Sequence, residues 1–212
     1  MILPLFFCIG HLSLLLTSLI RHLKVFLFTP PFTQLNTPYP ATAYLKGFLN
    51  TKKIASFQAD LGIEVILEMF SANGLKEIFS IPLPETPTDN AAKIYHLKSE
   101  YIETIDIAIR FLQGHEANFA FPIAQRQFLP EAGRFTGLAD LQWAFGSMGL
   151  TDQAKYIATL YLEDLADYIK ECVDQHFGFS RYAERLGRSA HSFDELYEAL
   201  QQNVSFIDAI LL

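Results

Sequence analysis

Short apolar runs alternate with proline-rich and polar stretches in the first third of the chain. Val25–Thr29 is a continuous apolar run that ends at a double proline, which is typical of a strand buried on both faces of a parallel sheet. Pro40 suits a first helical position, and apolar residues at helical spacing follow it as far as Asn50-Thr51. Ile54–Leu61 is a second strand-like run. The pattern therefore predicts a strand, a helix and a second strand.

The periodicity becomes helical after the second strand. Ile81–Pro87 is a proline-rich connector, and Asn118–Pro130 fits either a short strand or an extended loop. Five further helices are predicted from apolar stripes and end signals: Ile63–Phe70 stopped by Asn73-Gly74, Thr88 or Asp89 to Gly114, Thr136 to Phe145, Thr151 to Gly178, and Phe193–Gln201.

Two of these helices carry further expectations. Cys172 follows Ile169 on the apolar stripe of the fourth helix, which favours a buried structural thiol. Ser192 and Glu195 have the spacing of a capping box at the start of the last helix. The aromatic side of that last helix is expected to lie in the core, and its acidic side in solvent.

The predicted fold class is α/β, with an incomplete Rossmann-like β-α-β opening followed by a mainly α-helical segment. The two strands are expected to lie side by side and parallel, and their crossover is expected to be right-handed. The organisation that follows is an apolar N-terminal extension over residues 1–23, the start of an α/β domain over 24–80, and a helical segment over 81–212.

The first twenty residues form a separate problem. Met1–Ile20 contains no charged side chain, and its length and hydropathy suit one membrane span. Pro4, Gly10 and several hydroxyl side chains dilute the run, however, and Lys24 leads into the first predicted strand without a linker. The segment is therefore interpreted as sequence upstream of the true start, with a membrane anchor or an ordinary buried helix as the alternatives.

Composition and charge exclude several classes of function. The chain has 212 residues and a formal net charge of −7, whereas nucleic-acid binding requires clustered Lys and Arg. Its two cysteines, Cys8 and Cys172, have no neighbour at metal-ligand spacing. No metal site and no catalytic constellation is therefore predicted within this chain. A cytoplasmic protein is expected.

The carboxyl ends of the two strands are the predicted ligand-binding edge. Ligands of parallel sheets bind beyond the carboxyl ends of the strands, which places Thr29–Tyr39 and Asp60 together. The loop contains no glycine, and its prolines remove backbone donors, so a dinucleotide or phosphate-loop site is not expected. Asp60 fits either a ligand-facing carboxylate or a cap of the helix that follows it.

The segment Lys24–Glu64, KVFLFTPPFTQLNTPYPATAYLKGFLNTKKIASFQADLGIE, resembles the N-terminus of cobalamin-binding radical SAM enzymes. The resemblance lies in the first strand, the double proline, the second proline cluster, the YLKGFL helix and the strand that ends in Asp60. It extends less specifically to about Gln202. It implies a cobalamin-binding domain that begins at residue 24, with these corrinoid-facing residues: Pro30, Pro31, Thr37, Tyr39 and Asp60.

The departures from this family limit what the chain can do alone. The cluster motif C-x-x-x-C-x-x-C is absent, so the iron–sulfur cluster and S-adenosylmethionine are expected in sequence outside this chain. The expected function is the N-terminal cofactor-binding portion of such an enzyme, inactive by itself, with the rest of its own polypeptide and a small-molecule cofactor as partners. The alternative is a non-enzymatic helical interaction module, tethered to a membrane if residues 1–20 are genuine.

Two weaker patterns are interpreted as structural. The stretch from Asp174 to Gly178 reads D-x-H-x-G, one residue short of the D-x-H-x-x-G motif of some cobalamin proteins. It lies at the end of a predicted helix instead of after a strand, and Gly178 is interpreted as the C-cap of that helix. Arg181, Arg185 and Arg188 share one helical face, which favours salt bridges over an anion or corrinoid contact.

Overall fold

The computed structural model describes residues 24–30, 40–138, 141, 145–146, 149–175, 177–178, 192–201 and 209–210. The described part is mixed α/β and mostly helical, with two strands, β1 (Lys24–Thr29) and β2 (Ala55–Asp60). Its helices are α1 (Ala41–Thr51), α2 (Leu61–Met69), α3 (Ala72–Ser80), α4 (Asp89–His96), α5 (Lys98–Leu112), α6 (Ala120–Ala124), α7 (Leu150–Cys172) and α8 (Phe193–Gln201). Single 3-10 turns lie at Ala117–Phe119 and Gly133–Phe135.

The chain divides into two compact units, and the described residues of the first are 24–30 and 40–61. Strands β1 and β2 pair in parallel, from Lys24 opposite Ala55 to Thr29 opposite Asp60. Helix α1 connects them, so the predicted strand–helix–strand order and the parallel pairing are confirmed. The Gln58 amide donates to the Thr42 hydroxyl at 3.0 Å, which shows that α1 covers the sheet face on which Gln58 lies.

The second unit contains the described residues from Gly62 onward, and its core is built around α7. The long helix α7 is buried along most of its length because apolar residues recur at helical spacing. The other buried side chains of this core come from α2 to α6 and from the segments between them. The largest fully buried side chains are Tyr101, Tyr161, Tyr168, Phe70, Met69, Leu75, Ile78, Ile94, Ile105, Ile123, Ile157 and Leu165.

Polar groups fasten the ends of the helices in this unit. Thr88 is the N-cap of α4, and its hydroxyl accepts a hydrogen bond from the Ala91 amide at 3.2 Å. The Glu171 carboxylate near the end of α7 accepts from both the amide and the hydroxyl of Thr88, each at 2.7 Å. The Asp106 carboxylate on α5 accepts from the Ala72 amide at 2.9 Å. These carboxylates satisfy helix N-terminal donors from neighbouring helices.

Several predicted helix boundaries are wrong. The predicted stop at Asn73-Gly74 lies inside α3, because the chain breaks instead at Ser71, whose side chain caps α3. The helix predicted to run to Gly114 is interrupted at Leu97, which separates α4 from α5. Asn118–Pro130 contains no strand, since its regular structure is a 3-10 turn and the short helix α6.

The later helices differ from the predictions in smaller ways. Helix α7 begins at Leu150 after Gly149, so Thr151 lies in its first turn instead of capping it. It ends at Cys172, well before Gly178, and Cys172 is partly buried there. The predicted helix from Thr136 to Phe145 falls largely outside the described residues.

Helix α8 has the predicted bounds, but its aromatic side is not in the core. Phe193 is 77% exposed, Tyr197 57% and Leu200 74%. None of the helices in the described ranges has the length and hydropathy of a membrane span. Met1–Ile20 lies outside those ranges.

Candidate functional site

The carboxyl ends of β1 and β2 meet at one edge of the first unit. Thr29, the last residue of β1, is opposite Asp60, the last residue of β2. The Thr29 side chain is buried, at 4% exposure, whereas Asp60 is partly exposed. The parallel register therefore places one buried hydroxyl and one accessible carboxylate side by side where the proline-rich loop leaves the sheet.

Helix α1 begins at the same edge, because it follows β1 in the chain. Pro40 occupies its N-cap position and makes no side-chain capping bond, and the first turn holds no acidic residue. Neither Pro40 nor an acidic side chain of the first turn therefore caps the first backbone N–H groups of α1. Such groups, with the positive end of the helix dipole, favour carbonyl oxygens or negative charge.

Two of the five predicted site residues are described. Pro30 follows Thr29 and Asp60 ends β2, so the register brings these two to the same edge. Pro31, Thr37 and Tyr39 lie outside the described residues. Asp60 also immediately precedes α2, so its position agrees with both the ligand-facing and the helix-capping interpretation.

The second unit contains a buried polar cluster that the sequence did not predict. Asp164 on α7 is fully buried, and its carboxylate accepts the Ala132 amide at 3.0 Å and the Arg134 amide at 2.8 Å. The Tyr101 hydroxyl lies 3.5 Å from the same carboxylate. Burial raises the pKa of Asp164, although the two backbone amides act in the opposite direction.

A pair of stacked tyrosines extends this cluster. The rings of Tyr101 and Tyr161 have centroids 5.0 Å apart at an interplanar angle of 18°. The Tyr161 hydroxyl donates to the Tyr101 carbonyl at 3.0 Å and lies 3.1 Å from the Thr104 hydroxyl. Burial raises the pKa of both phenols far above their ordinary value, and the charge of Asp164 raises that of Tyr101 further.

The loop that carries Ala132 and Arg134 is held by other side chains as well. The Gly133 amide donates to the Asn90 side-chain oxygen at 2.7 Å. Arg134 binds the Asp167 carboxylate with two hydrogen bonds of 2.6 Å, and Glu163 lies 3.7 Å from its guanidinium. The backbone amides of three consecutive residues, Ala132, Gly133 and Arg134, thus donate hydrogen bonds to side chains of α4 and α7.

This arrangement makes the Asp164 cluster a structural clamp. Asp164 is completely buried and each of its carboxylate oxygens accepts a backbone amide, so a ligand from solvent has no access to this group. Among the described residues, no group of three or more His, Cys, Asp or Glu side chains could hold a metal ion. The strand-end edge of the first unit is therefore the candidate functional site.

No local signal in the sequence identifies the clamp. Asp164 is an acidic residue among the buried positions of α7, which is unusual. Its two backbone partners, Ala132 and Arg134, lie about thirty positions earlier in the chain, so a local pattern does not reveal them. The pattern from Asp174 to Gly178 lies beyond α7, which ends at Cys172, so it does not form the last turn of that helix as predicted. His176 of this pattern is outside the described residues. Arg181, Arg185 and Arg188 are also outside them.

Comparison with known proteins identifies no family for this chain. No protein-family model, no curated protein and no solved structure matches the chain.

Proposed function

We propose that this chain is the N-terminal, cofactor-binding portion of a radical SAM enzyme of the cobalamin-binding group, with the catalytic core supplied by further sequence. The observation that carries the proposal is the parallel register that sets Thr29 opposite Asp60. It brings Pro30, which follows Thr29, and Asp60 to the carboxyl ends of the two strands, where ligands of Rossmann-like sheets bind. The described sheet has two strands, and the proposal includes further strands that complete a Rossmann-like sheet.

The residues at this edge suit a corrinoid in chemical terms. Corrinoid side chains are amides, which need both acceptors and donors. Asp60 supplies a carboxylate acceptor, and the first N–H groups of α1, which the Pro40 side chain does not cap, supply donors. Pro30 would add a stiff apolar contact beside them. When bound, cobalamin would supply cobalt-centred chemistry that side chains lack.

The iron–sulfur cluster does not fit this chain. Cluster binding in the family needs C-x-x-x-C-x-x-C, and the sequence holds only Cys8 and Cys172. We therefore assign no step of S-adenosylmethionine cleavage to residues 1–212.

The coding sequence provides the first test. A reading frame that continues past Leu212 to a C-x-x-x-C-x-x-C motif supports the proposal. The polypeptide from that frame should bind iron after reconstitution and cleave S-adenosylmethionine, and alanine at the three cysteines should abolish both. A frame that ends without the motif, or an extended polypeptide without a cluster, would count against it.

A non-enzymatic helical interaction module is the second candidate, and α8 favours it. Phe193, Tyr197 and Leu200 form an exposed apolar stripe with i, i+4, i+7 spacing, the pattern by which a helix binds an apolar groove. Asp194 and Glu198 beside the stripe are also exposed. A stable complex with another protein that is lost on Tyr197→Ala, in a chain without corrinoid binding, would favour this candidate.

A further inference from the structure

The first turn of α3 contains the dipeptide Asn73-Gly74. Asn73 is exposed to solvent, whereas Gly74 is buried. No other asparagine of the sequence is followed by glycine. An asparagine before glycine cyclises more readily than other asparagines, because glycine is conformationally permissive and has no side chain to hinder attack by its backbone nitrogen. This dipeptide is therefore the place in the chain where spontaneous deamidation is chemically easiest.

The reaction consumes only water. The Gly74 backbone nitrogen attacks Cγ of the Asn73 side chain, so the N–Cγ bond forms, the Cγ–Nδ2 bond breaks and ammonia leaves. Water then opens the resulting succinimide ring at one of its two carbonyl carbons. Opening at Cγ restores the ordinary main chain with aspartate at position 73. Opening at the main-chain carbonyl carbon leaves the chain connected through the side chain, which is isoaspartate.

Ser71 holds this site closed in the folded chain. Its hydroxyl caps α3 by accepting a hydrogen bond from the Gly74 amide at 3.0 Å, and it donates to the Glu68 carbonyl at 2.7 Å. The nitrogen that the cap fixes is the nucleophile of the cyclisation. Asn73 must leave its helical conformation before that nitrogen can reach Cγ, and the cap opposes this rotation.

The neighbouring helix α5 holds the same turn. The Asp106 carboxylate of α5 accepts the Ala72 amide at 2.9 Å. Leu75 and Ile78 of α3 are fully buried, so α3 does not leave its place without exposing apolar surface. Opening the first turn of α3 therefore costs free energy, and cyclisation proceeds only from the fraction of molecules in which this turn is open.

The isoaspartyl product does not fit the junction between α2 and α3. Gly74 lies so close to the end of α2 that a Cβ atom there would be 2.7 Å from the Met69 carbonyl oxygen and still nearer to that of Glu68. Isoaspartate adds one main-chain atom directly before Gly74, where the packing has no room for it. Ordinary aspartate keeps the main chain and places a negative charge in the first turn of α3, which the helix dipole favours.

We infer that Asn73-Gly74 is a spontaneous modification site that Ser71 keeps closed in the folded chain, and that its isoaspartyl product prevents α3 from packing again. A transient opening of the first turn of α3 is thereby converted into a permanent change of the chain. Ser71 is a positioning residue, because its own bonds do not change in the reaction. All of these residues lie in the second unit, so the inference is independent of the proposed function.

The experiment follows deamidation at Asn73 in residues 1–212 by peptide mapping and mass spectrometry, in buffer at neutral pH and in urea. The folded chain should react at least about tenfold more slowly than the unfolded chain, because its reactive turn is open in only a small fraction of molecules. Ser71→Ala should raise the rate in the folded chain about fivefold, the factor that the loss of one helix N-cap gives. Ser71→Thr retains a capping hydroxyl and should keep the parent rate.

Ser80 provides the matched control at the other end of the same helix. Its hydroxyl donates to the Glu77 carbonyl at 2.6 Å, three positions earlier in the chain, as the hydroxyl of Ser71 also does to its own carbonyl partner. Ser80 lies at the C-terminal end of α3, however, and does not hold the nucleophilic amide. Ser80→Ala should therefore leave the rate at Asn73 unchanged.

The two products test the second part of the inference. The isoaspartyl fraction, separated by chromatography, should have a lower thermal midpoint of unfolding than the unreacted chain, because the junction of α2 and α3 does not form again. The variant Asn73→Asp represents the ordinary product and should keep the thermal midpoint of the parent chain.

Four results would overturn the inference. They are an absence of deamidation at Asn73 in urea, equal rates at Asn73 in the folded and the unfolded chain, a Ser71→Ala rate equal to that of the parent, and an isoaspartyl fraction with the thermal midpoint of the parent. If circular dichroism shows that Ser71→Ala does not fold, Asp106→Ala replaces it. This variant removes the acceptor of the Ala72 amide and should also raise the rate, and an unchanged rate would equally overturn the inference.

Discussion

Asp164 is a buried carboxylate whose two oxygens each accept a backbone amide from the loop that carries Ala132 and Arg134. Burying a charge is costly unless hydrogen bonds compensate, and here the compensation comes from backbone dipoles of a loop that has little regular structure of its own. One side chain of α7 therefore holds the backbone at Ala132 and Arg134.

Asp164→Asn tests this clamp. The amide side chain offers one oxygen and turns its NH₂ group toward a second backbone donor, so one buried N–H loses its acceptor. We expect a loss of about 2 kcal/mol in the free energy of unfolding, measured by urea denaturation. Asp167→Asn is the control, because its ion pair with Arg134 is partly exposed and should cost less than about 1 kcal/mol. Equal losses would show that the buried position has no special role.

The buried tyrosines predict a loss of stability in alkali. Burial raises the pKa of Tyr101 and Tyr161 above the ordinary 10.0, so the folded state holds these protons more tightly than the unfolded state. The contribution of these two protonated tyrosines to the free energy of unfolding is complete below pH 10. It is lost as the pH rises from there toward the folded-state pKa, by about 1.4 kcal/mol per pH unit for each tyrosine.

Tyr161→Phe should reduce the loss of stability with rising pH. Urea denaturation between pH 8 and pH 11 should give a shallower decline for the variant than for the parent chain, in addition to a loss of about 1 kcal/mol at neutral pH from the missing hydrogen bonds. An unchanged slope in Tyr161→Phe would contradict the buried, protonated phenol.

At the scale of elements, apolar periodicity predicted most of the described helical segments, but it missed α3 and α6 and did not show where adjacent helices break. Ile94, Tyr101 and Ile105 are all fully buried across the interruption at Leu97, because a single non-helical residue leaves the apolar stripe on one side. The sequence pattern marks Gly74 as a helix stop signal, but in the structure this glycine lets the backbone of α3 lie close to the end of α2. A Cβ atom at position 74 would lie 2.7 Å from the Met69 carbonyl oxygen. Such contacts depend on packing between helices, which a local pattern does not contain.

The same substitution should therefore have opposite effects in two helices. Gly74→Ala pushes a methyl group into the backbone carbonyls of Glu68 and Met69, and we expect a loss of about 2 kcal/mol. Gly47→Ala in α1 meets nothing within 4 Å and should raise stability by about 0.5–1 kcal/mol through the better helix propensity of alanine. Urea denaturation followed by circular dichroism measures both. If both substitutions change the free energy of unfolding in the same direction, the different roles assigned to Gly74 and Gly47 are wrong.

At the scale of the whole molecule, the two units differ in how well their apolar residues are covered. The described part of the second unit has a continuous core, whereas the helix and both strands of the first unit contain only one buried side chain, that of Thr29. The sequence predicted the first unit well because a short βαβ unit is determined by local runs and turns. It missed the Asp164 clamp because its partners are distant in sequence.

The N-terminal extension gives a prediction at this scale. Met1–Ile20 shares no pattern with the predicted core, and Lys24 begins β1 directly. Deletion of residues 1–22 should leave the soluble yield and the thermal midpoint of unfolding unchanged. A large drop in either would show that the segment is part of the fold.

The central claim is that these residues form part of a cobalamin site that further sequence completes. The most direct measurement is a titration of hydroxocobalamin, followed by visible absorbance, with residues 1–212 and with the polypeptide from the complete reading frame. We expect at most weak binding by the chain alone, because a corrinoid needs several strand-end loops and this unit supplies two. The complete polypeptide should bind with one-to-one stoichiometry, and Asp60→Ala should weaken that binding while Glu64→Ala does not. Tight binding by residues 1–212 alone, or no binding by the complete polypeptide, would contradict the account.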